Sequence, residues 1–315
     1  MARYFGRCYK LTLIPPGGSG KKVWEVREST TPMDIKFDIS YARGQTAREG
    51  TVSILGLSHK TIYDFICLAG LTRGYAMSKL ARVKLEVGYA SSAGMIEVID
   101  GFAWYASASS PPNMWIHIKV SEYNASGGQS IAPSLDGEMT LKTMATSMMK
   151  KFSVAEGVKF SVQDCTQDKI LDKQHNDEIK VRADFGEEDI DLKTAIQKLN
   201  AVSKDIQFIL KKSRSEGDTR VLEAIDKAVN KAYKANIRVD KNTGLLSVTG
   251  IDAINGCITT FIDGSVDDHF SHLVLSSEMN PQANGTYYIT RRQFIGHFNG
   301  PEWYARYYCS DRQGS

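Results

Sequence analysis

Five cysteines and eight prolines are few for a chain of 315 residues, and neither set is patterned. Cys8, Cys67, Cys165, Cys257 and Cys309 lie far apart with no CxxC. Such dispersal argues against a secreted disulfide framework and favours reduced thiols in a cytoplasmically assembled protein. No apolar run approaches the roughly 18 residues of a membrane helix, and Met1–Arg7 contains no apolar signal core, so membrane insertion is not expected. Charge of one sign is also missing: 39 Lys and Arg against 36 Asp and Glu leave a net +3, which implies no general attraction to nucleic acid or membrane. GxxxxGK[ST], GxSxG and HExxH are absent as well.

Local features offer little chemistry in their place. Residues 163–191 carry ten acidic and four basic side chains, and residues 203–241 six acidic and ten basic, a pairing that reads as solvated surface or as two attracting faces. The densest group of metal-ligand types is Asp267-Asp268-His269-Phe270-Ser271-His272. His269 and His272 would share a face only on a helix, whereas Gly264, Ser265 and Leu273-Val274-Leu275 favour a loop entering a strand. A cysteine nucleophile needs a base and an orienting group. Cys8, Cys67, Cys257 and Cys309 stand beside apolar or aromatic residues and read as buried thiols. No local feature selects a carboxylate pair for glycoside hydrolysis. No catalytic, cofactor-binding or metal-ligating residue is therefore expected.

What the chain does contain is alternation. Ile35-Lys36-Phe37-Asp38-Ile39-Ser40-Tyr41, Val52-Ser53-Ile54, Val83-Lys84-Leu85-Glu86-Val87-Gly88-Tyr89 and Ile96-Glu97-Val98 each place their apolar residues on one sheet face. Between the second and third of these, Ser58 is a good N-cap for a short helix with Ile62, Phe65 and Ile66 on one side. Before them, Tyr9, Leu11 and Leu13 return through Pro15–Gly20 to Trp24 and Val26 as a hairpin, and after them a break at Ser109–Pro112 precedes a strand with Ile116, Ile118 and Val120.

Residues 124–137 are rich in Ser, Gly and Pro and read as a linker. Beyond it, Thr140 caps a helix with Leu141, Met144, Ala145, Met148, Met149 and Phe152 in one stripe, its methionines filling core. Strands at Val158–Val162 and Ile179–Ala183 follow. A second helix from Asp191 uses Leu192, Ile196, Leu199 and Val202, and Ile206–Leu210 is a strand. The spacing of Leu222, Ile225, Val229 and Ala232 or Tyr233 predicts a third helix over 221–234. Strands at Ile237–Val239, Leu246–Val248, Leu273–Leu275, Tyr287–Ile289 and Trp303–Tyr307, with turns at Asn280-Pro281, Asn284-Gly285 and Asn299-Gly300-Pro301, make a closing β unit.

The succession Gly50-Thr51-Val52-Ser53-Ile54-Leu55-Gly56-Leu57-Ser58, helix, Val83–Tyr89 and Val98-Ile99-Asp100-Gly101 resembles the first tube-like barrel of phage baseplate hub proteins. Asp191–Asn200 leading into Ile206–Leu210 is similar to the α/β insert of that family, and Gly285–Ile289 through Trp303–Cys309 to the end of its second barrel. The family is related to the late-control-D hubs of contractile-tail phages and the hub part of type VI secretion spikes. The resemblance implies an α+β, predominantly β fold: two tube-like antiparallel β-barrel domains with helix-containing α/β inserts. Its divisions would be a first barrel over 1–123, the linker 124–137, second-barrel strands with the insert over 138–250, and completion of that barrel over 251–315. It further implies a non-enzymatic virion protein, a homotrimeric hub joining a hexameric tail tube to a trimeric spike. Its partners would be itself, a tube protein or tube-terminating ring, the spike, and a tape measure protein in the lumen.

Two other classes compete. A nucleic-acid-binding barrel could stack bases on Tyr287, Tyr288, Phe294 and Phe298, interleaved with Arg291, Arg292 and His297. A cell-wall hydrolase of the tail tip is the third reading.

Overall fold

In the computed structural model, residues 6–15, 20–26, 33–42, 47–69, 75–90, 94–123, 128–132, 138–166, 169–173, 179–180, 189–212, 219–226, 237–249, 255–262 and 272–313 are described. The first β unit holds β1 (Arg7–Ile14), β2 (Lys22–Val26), β3 (Asp34–Ala42), β4 (Glu49–Leu55), β5 (Arg82–Tyr89), β6 (Met95–Ala108) and β7 (Ile116–Ser121), with α1 (His59–Ala69) between β4 and β5. An insert follows: β8 (Glu138–Met139), α2 (Leu141–Glu156), β9 (Phe160–Asp164), α3 (Ile170–Lys173), β10 (Ile179–Lys180), α4 (Leu192–Val202), β11 (Ile206–Lys212) and β12 (Arg220–Asp226). The second β unit comprises β13 (Ile237–Asp240), β14 (Leu245–Thr249), β15 (Asn255–Thr260), β16 (His272–Ser276), β17 (Gly285–His297) and β18 (Trp303–Gln313).

Alternation puts the apolar residues where the sequence placed them. Ile35, Phe37, Ile39 and Tyr41 of β3, Val52 and Ile54 of β4, and Val83, Leu85 and Val87 of β5 are all buried. Ser58 caps α1 by accepting from the Thr61 amide at 3.2 Å, and α1 lies against β6 with Ile62 buried. Phe65 and Ile66 fall on side chains outside the described residues.

The two β units do not form separate sheets. Their strands join in one curled, mostly antiparallel sheet of 13 strands, a half-barrel. From β3 outward the first unit runs β3-β4-β7-β6-β5-β1; from β14 the second runs β14-β15-β18-β17-β16-β13. The order is the same except that β13 pairs with β16 in parallel where β1 pairs with β5 antiparallel. One core contains side chains of both, from Tyr9 and Ile35 to Tyr307 and Cys309.

The insert builds its own core from α2, α4 and a three-stranded sheet ordered β11-β12-β9. Thr140 caps α2 by accepting from the Thr143 amide at 3.2 Å, and Gly157 ends it at φ +64°, a left-handed conformation that favours glycine. Asp191 caps α4 at 2.7 Å. Inside the stretch 124–137, Ile131 bridges Ile190 and is buried, so this part of the expected linker is anchored to the insert.

One expectation fails. Residues 220–226 are strand β12, not the start of a helix; the remainder of 221–234 lies outside the described residues. β12 sits between β11 and β9, and both its faces are covered. Leu222 and Ala224 face the helices, while Ile225 packs against the core of the large sheet. A strand buried on both faces loses its period-two pattern, and the residual spacing mimics a helix.

Lys84 and Glu86 alternate outward but are only partly exposed. Lys84 bonds Glu86 at 3.0 Å and pairs with Glu97 at 3.4 Å. Burial opposes its charge, yet Glu86 and Glu97 outweigh that and raise its pKa. Leu85→Ala should cost about 2–5 kcal/mol in urea unfolding, and Lys84→Ala no more than about 1 kcal/mol. The reverse order would mean that the faces of β5 are assigned backwards.

Candidate functional site

The feature that makes one body of two β units is a seam between β3 and the second half of β17. Seven residue pairs run antiparallel along it, from Arg291 opposite Ala42 to His297 opposite Lys36. Gly296 faces Phe37; a Cβ there would stand 2.2 Å from the ring, so the glycine makes room for the aromatic. Phe37 in turn meets Trp303 edge-on at 5.2 Å. On the other face Gln293 donates to Asp38 at 2.7 Å and accepts from the Tyr308 hydroxyl at 3.0 Å.

The first unit also grips the turn between β17 and β18. The Asp34 carboxylate accepts from the Asn299 amide at 3.2 Å and bonds His297 Nε2 at 2.8 Å. Arg7 donates to the His297 carbonyl at 2.9 Å, to Gly300 and, at 3.2 Å, to Pro301. Turn carbonyls that water would otherwise solvate are thus satisfied by residues nearly the whole chain length away.

A second set of polar contacts joins the large sheet to the insert. Asp100 is fully buried; Arg82 grips both its oxygens, one at 2.6 Å, and Lys212 binds from β11. Arg220, fully buried in β12, donates to the Asp100 carbonyl at 3.1 Å and lies 4.9 Å over the Phe102 ring. Alongside, Arg48 pairs with buried Glu122 at 2.8 and 2.9 Å and donates to the Val98 carbonyl at 3.3 Å. Burial alone would raise the Asp100 pKa, but Arg82 and Lys212 overcome it and hold the carboxyl below its ordinary value.

Among the described residues, those singled out from sequence are not brought together in a reactive arrangement; the side chain of Cys67 lies outside the described residues. Asp267, Asp268 and His269 lie outside the described residues. His272 is buried in β16, packed edge-on against Tyr288 at 5.7 Å, and burial lowers its pKa. Tyr287, Tyr288, Phe294 and Phe298 point into the core, where they cannot stack bases, and Arg292 is buried 5.4 Å over Phe294. Cys8 and Cys309 are buried; Cys165 and Cys257 are half-buried. Burial pushes the Cys165 thiol up to about 11 and Cys309 up to about 12, the opposite of an activated nucleophile. A cleft of about 430 Å³ between the sheet and the insert is lined by residues such as Ile14, Met77, Leu80, Arg82, Phe102 and Thr219, with no carboxylate among its described lining. Among the described residues no three His, Cys, Asp or Glu side chains could hold a metal, and no helix is long and apolar enough to cross a membrane.

The sequence matches the family model described as baseplate hub gp41 over residues 22–304. The chain belongs to that baseplate hub family. Its fold is similar to that of a tail protein from Neisseria meningitidis MC58, at a TM-score of 0.56, 9% identity, and 98% and 97% coverage of the two chains. A 43 kDa tail protein of prophage MuSo2 from Shewanella oneidensis gives 0.52 and 11%, with 96% of each chain covered. A chain of the Francisella PdpA–VgrG complex gives 0.55 and 8%, covering 97% of the hub chain and 58% of that one. No protein of curated function is matched by the sequence.

In a structural tail protein the contacts that matter are those holding parts together, and two measurements address them here. Asp100→Asn leaves buried cations without their anion and should lower stability by roughly 3–5 kcal/mol. Because the folded pKa of Asp100 is depressed, its contribution is complete above the unfolded value of about 4 and is lost as pH falls through the folded value. The Asn variant should therefore show a flatter loss of stability on acidification. A urea midpoint and acid limb unchanged by the substitution would remove Asp100 from this role. Independently, Cys8 and Cys309 should resist a thiol reagent at pH 8 and react once the chain is unfolded; rapid labelling in the native state would contradict their burial.

Proposed function

We propose that three copies of this hub chain close into a ring that joins a sixfold tail tube to a threefold central spike in the phage baseplate. The observation that carries the reading is the repeated strand order within one sheet. Two like units per chain, taken three times, offer a sixfold tube six near-equivalent surfaces, while the single insert of each chain occurs in threefold number. On this reading each unit is one tube-like barrel domain, and the chain works by geometry rather than by catalysis. It would be assembled in the host cytoplasm into a contractile tail, with a tape measure protein threading the lumen. The fold shared with a chain of the PdpA–VgrG complex supports a spike as one neighbour.

Burial of the four aromatic residues disfavours nucleic-acid stacking, and the raised cysteine pKa values and a cleft whose described lining has no carboxylate lend nothing to a hydrolase. Light scattering of the purified protein should give three times the chain mass of 34.9 kDa when alone, and that mass plus the spike's own when the spike is bound. A monomer at every concentration, with the spike present, would overturn the proposal.

A further inference from the structure

The seam inside the chain is a template for a second contact that the described strands leave unmade. β17 accepts β3 along Arg291–His297 because β16 covers only its first part, up to Tyr288. β6 holds the same place in the first unit. β5 covers it from Met95 to Phe102 and stops, and among the described residues no strand lies along 105–108 on the edge away from β7. The strand in the position of β3 is β14, whose edge away from β15 likewise carries no described strand. We propose that β14 of one copy adds antiparallel to the Tyr105–Ala108 edge of β6 in the next copy.

The residues fit the template. Gly296 stands opposite Trp303 at the end of its hairpin, as Ala108 stands opposite Ile116. Following the ladders across, Phe37 is reached through Val52 and Ile118, and Leu245 through Thr260 and Ala305. The small-over-large pair of Gly296 and Phe37 is thus matched by Ala108 and Leu245. Both edges also expose a large apolar side chain, Tyr105 at 46% and Leu246 at 45%. Unpaired sheet edges left open invite aggregation, and pairing them blunts that hazard. Since the edges belong to different units, the contact is head-to-tail and closes only as a ring. The inference rests on the ring proposed above and adds which strands make it.

The test uses the full chain with Ala108→Cys in one preparation and Leu245→Cys in another. Mixed, reassembled and exposed to a mild oxidant, the two should yield a covalent dimer of unlike chains, and a double variant should yield covalent trimers. Wild type, with its own five cysteines, and each single variant should yield neither. Should those substitutions impair folding, Ser107→Cys with Leu246→Cys probes the same edge pair. A particle of trimeric mass that forms no such link, or that links Leu245→Cys to Val23→Cys on the β2 edge instead, overturns the edge assignment and leaves the ring intact. A monomer with the spike present overturns both.

Discussion

Backbone pairing between β3 and β17 is the constraint on which the remaining architecture depends. Without it, each β unit would expose a long strand edge and a half-covered core, and the shared cluster of buried side chains would be cut in two. The pairing is specified from both sides: Gly296 admits the Phe37 ring, and Arg7 and Asp34 hold the adjoining turn. A one-residue slip would turn Ile39 and Phe294 outward, so the register is fixed by burial as much as by hydrogen bonds.

The insert is attached by different means. Its three-stranded sheet presents Ile209 and Ile225 to the large core, and around them Lys212 and Arg220 reach Asp100, a carboxylate with no exposure to water. Apolar contact supplies attraction without direction, whereas buried charges tolerate few alternative positions, because displacement would strand a charge in a low dielectric. On the proposed reading the insert faces the spike, and a set orientation there would gain from that intolerance.

Much of this was legible because one-sided burial imprints itself on sequence. β3, β4 and β5 alternate, and α2 and α4 carry capped apolar stripes, so their type and facing could be read directly. β12 could not, since burial on both faces erases its alternation. Nor could the charged joint: Asp100 and Arg220 are 120 residues apart, and nothing in either neighbourhood names the other. Alternation also sets Lys84 and Glu86 on the outward face without revealing that they cluster with Glu97. The common strand order is equally hidden, for Phe37 and Leu245 or Gly296 and Ala108 hold equivalent ladder positions without sharing an identity.

On the proposed reading one chain converts sixfold into threefold symmetry by carrying two like units in a single sheet. An image reconstruction of the tail tip made without imposed symmetry tests it most directly, through the rotational correlation of the section containing this chain. Three copies with a strong sixfold component in the sheet layer and only a threefold one in the insert layer are predicted. Six equivalent copies, or a layer with no sixfold component, would contradict it.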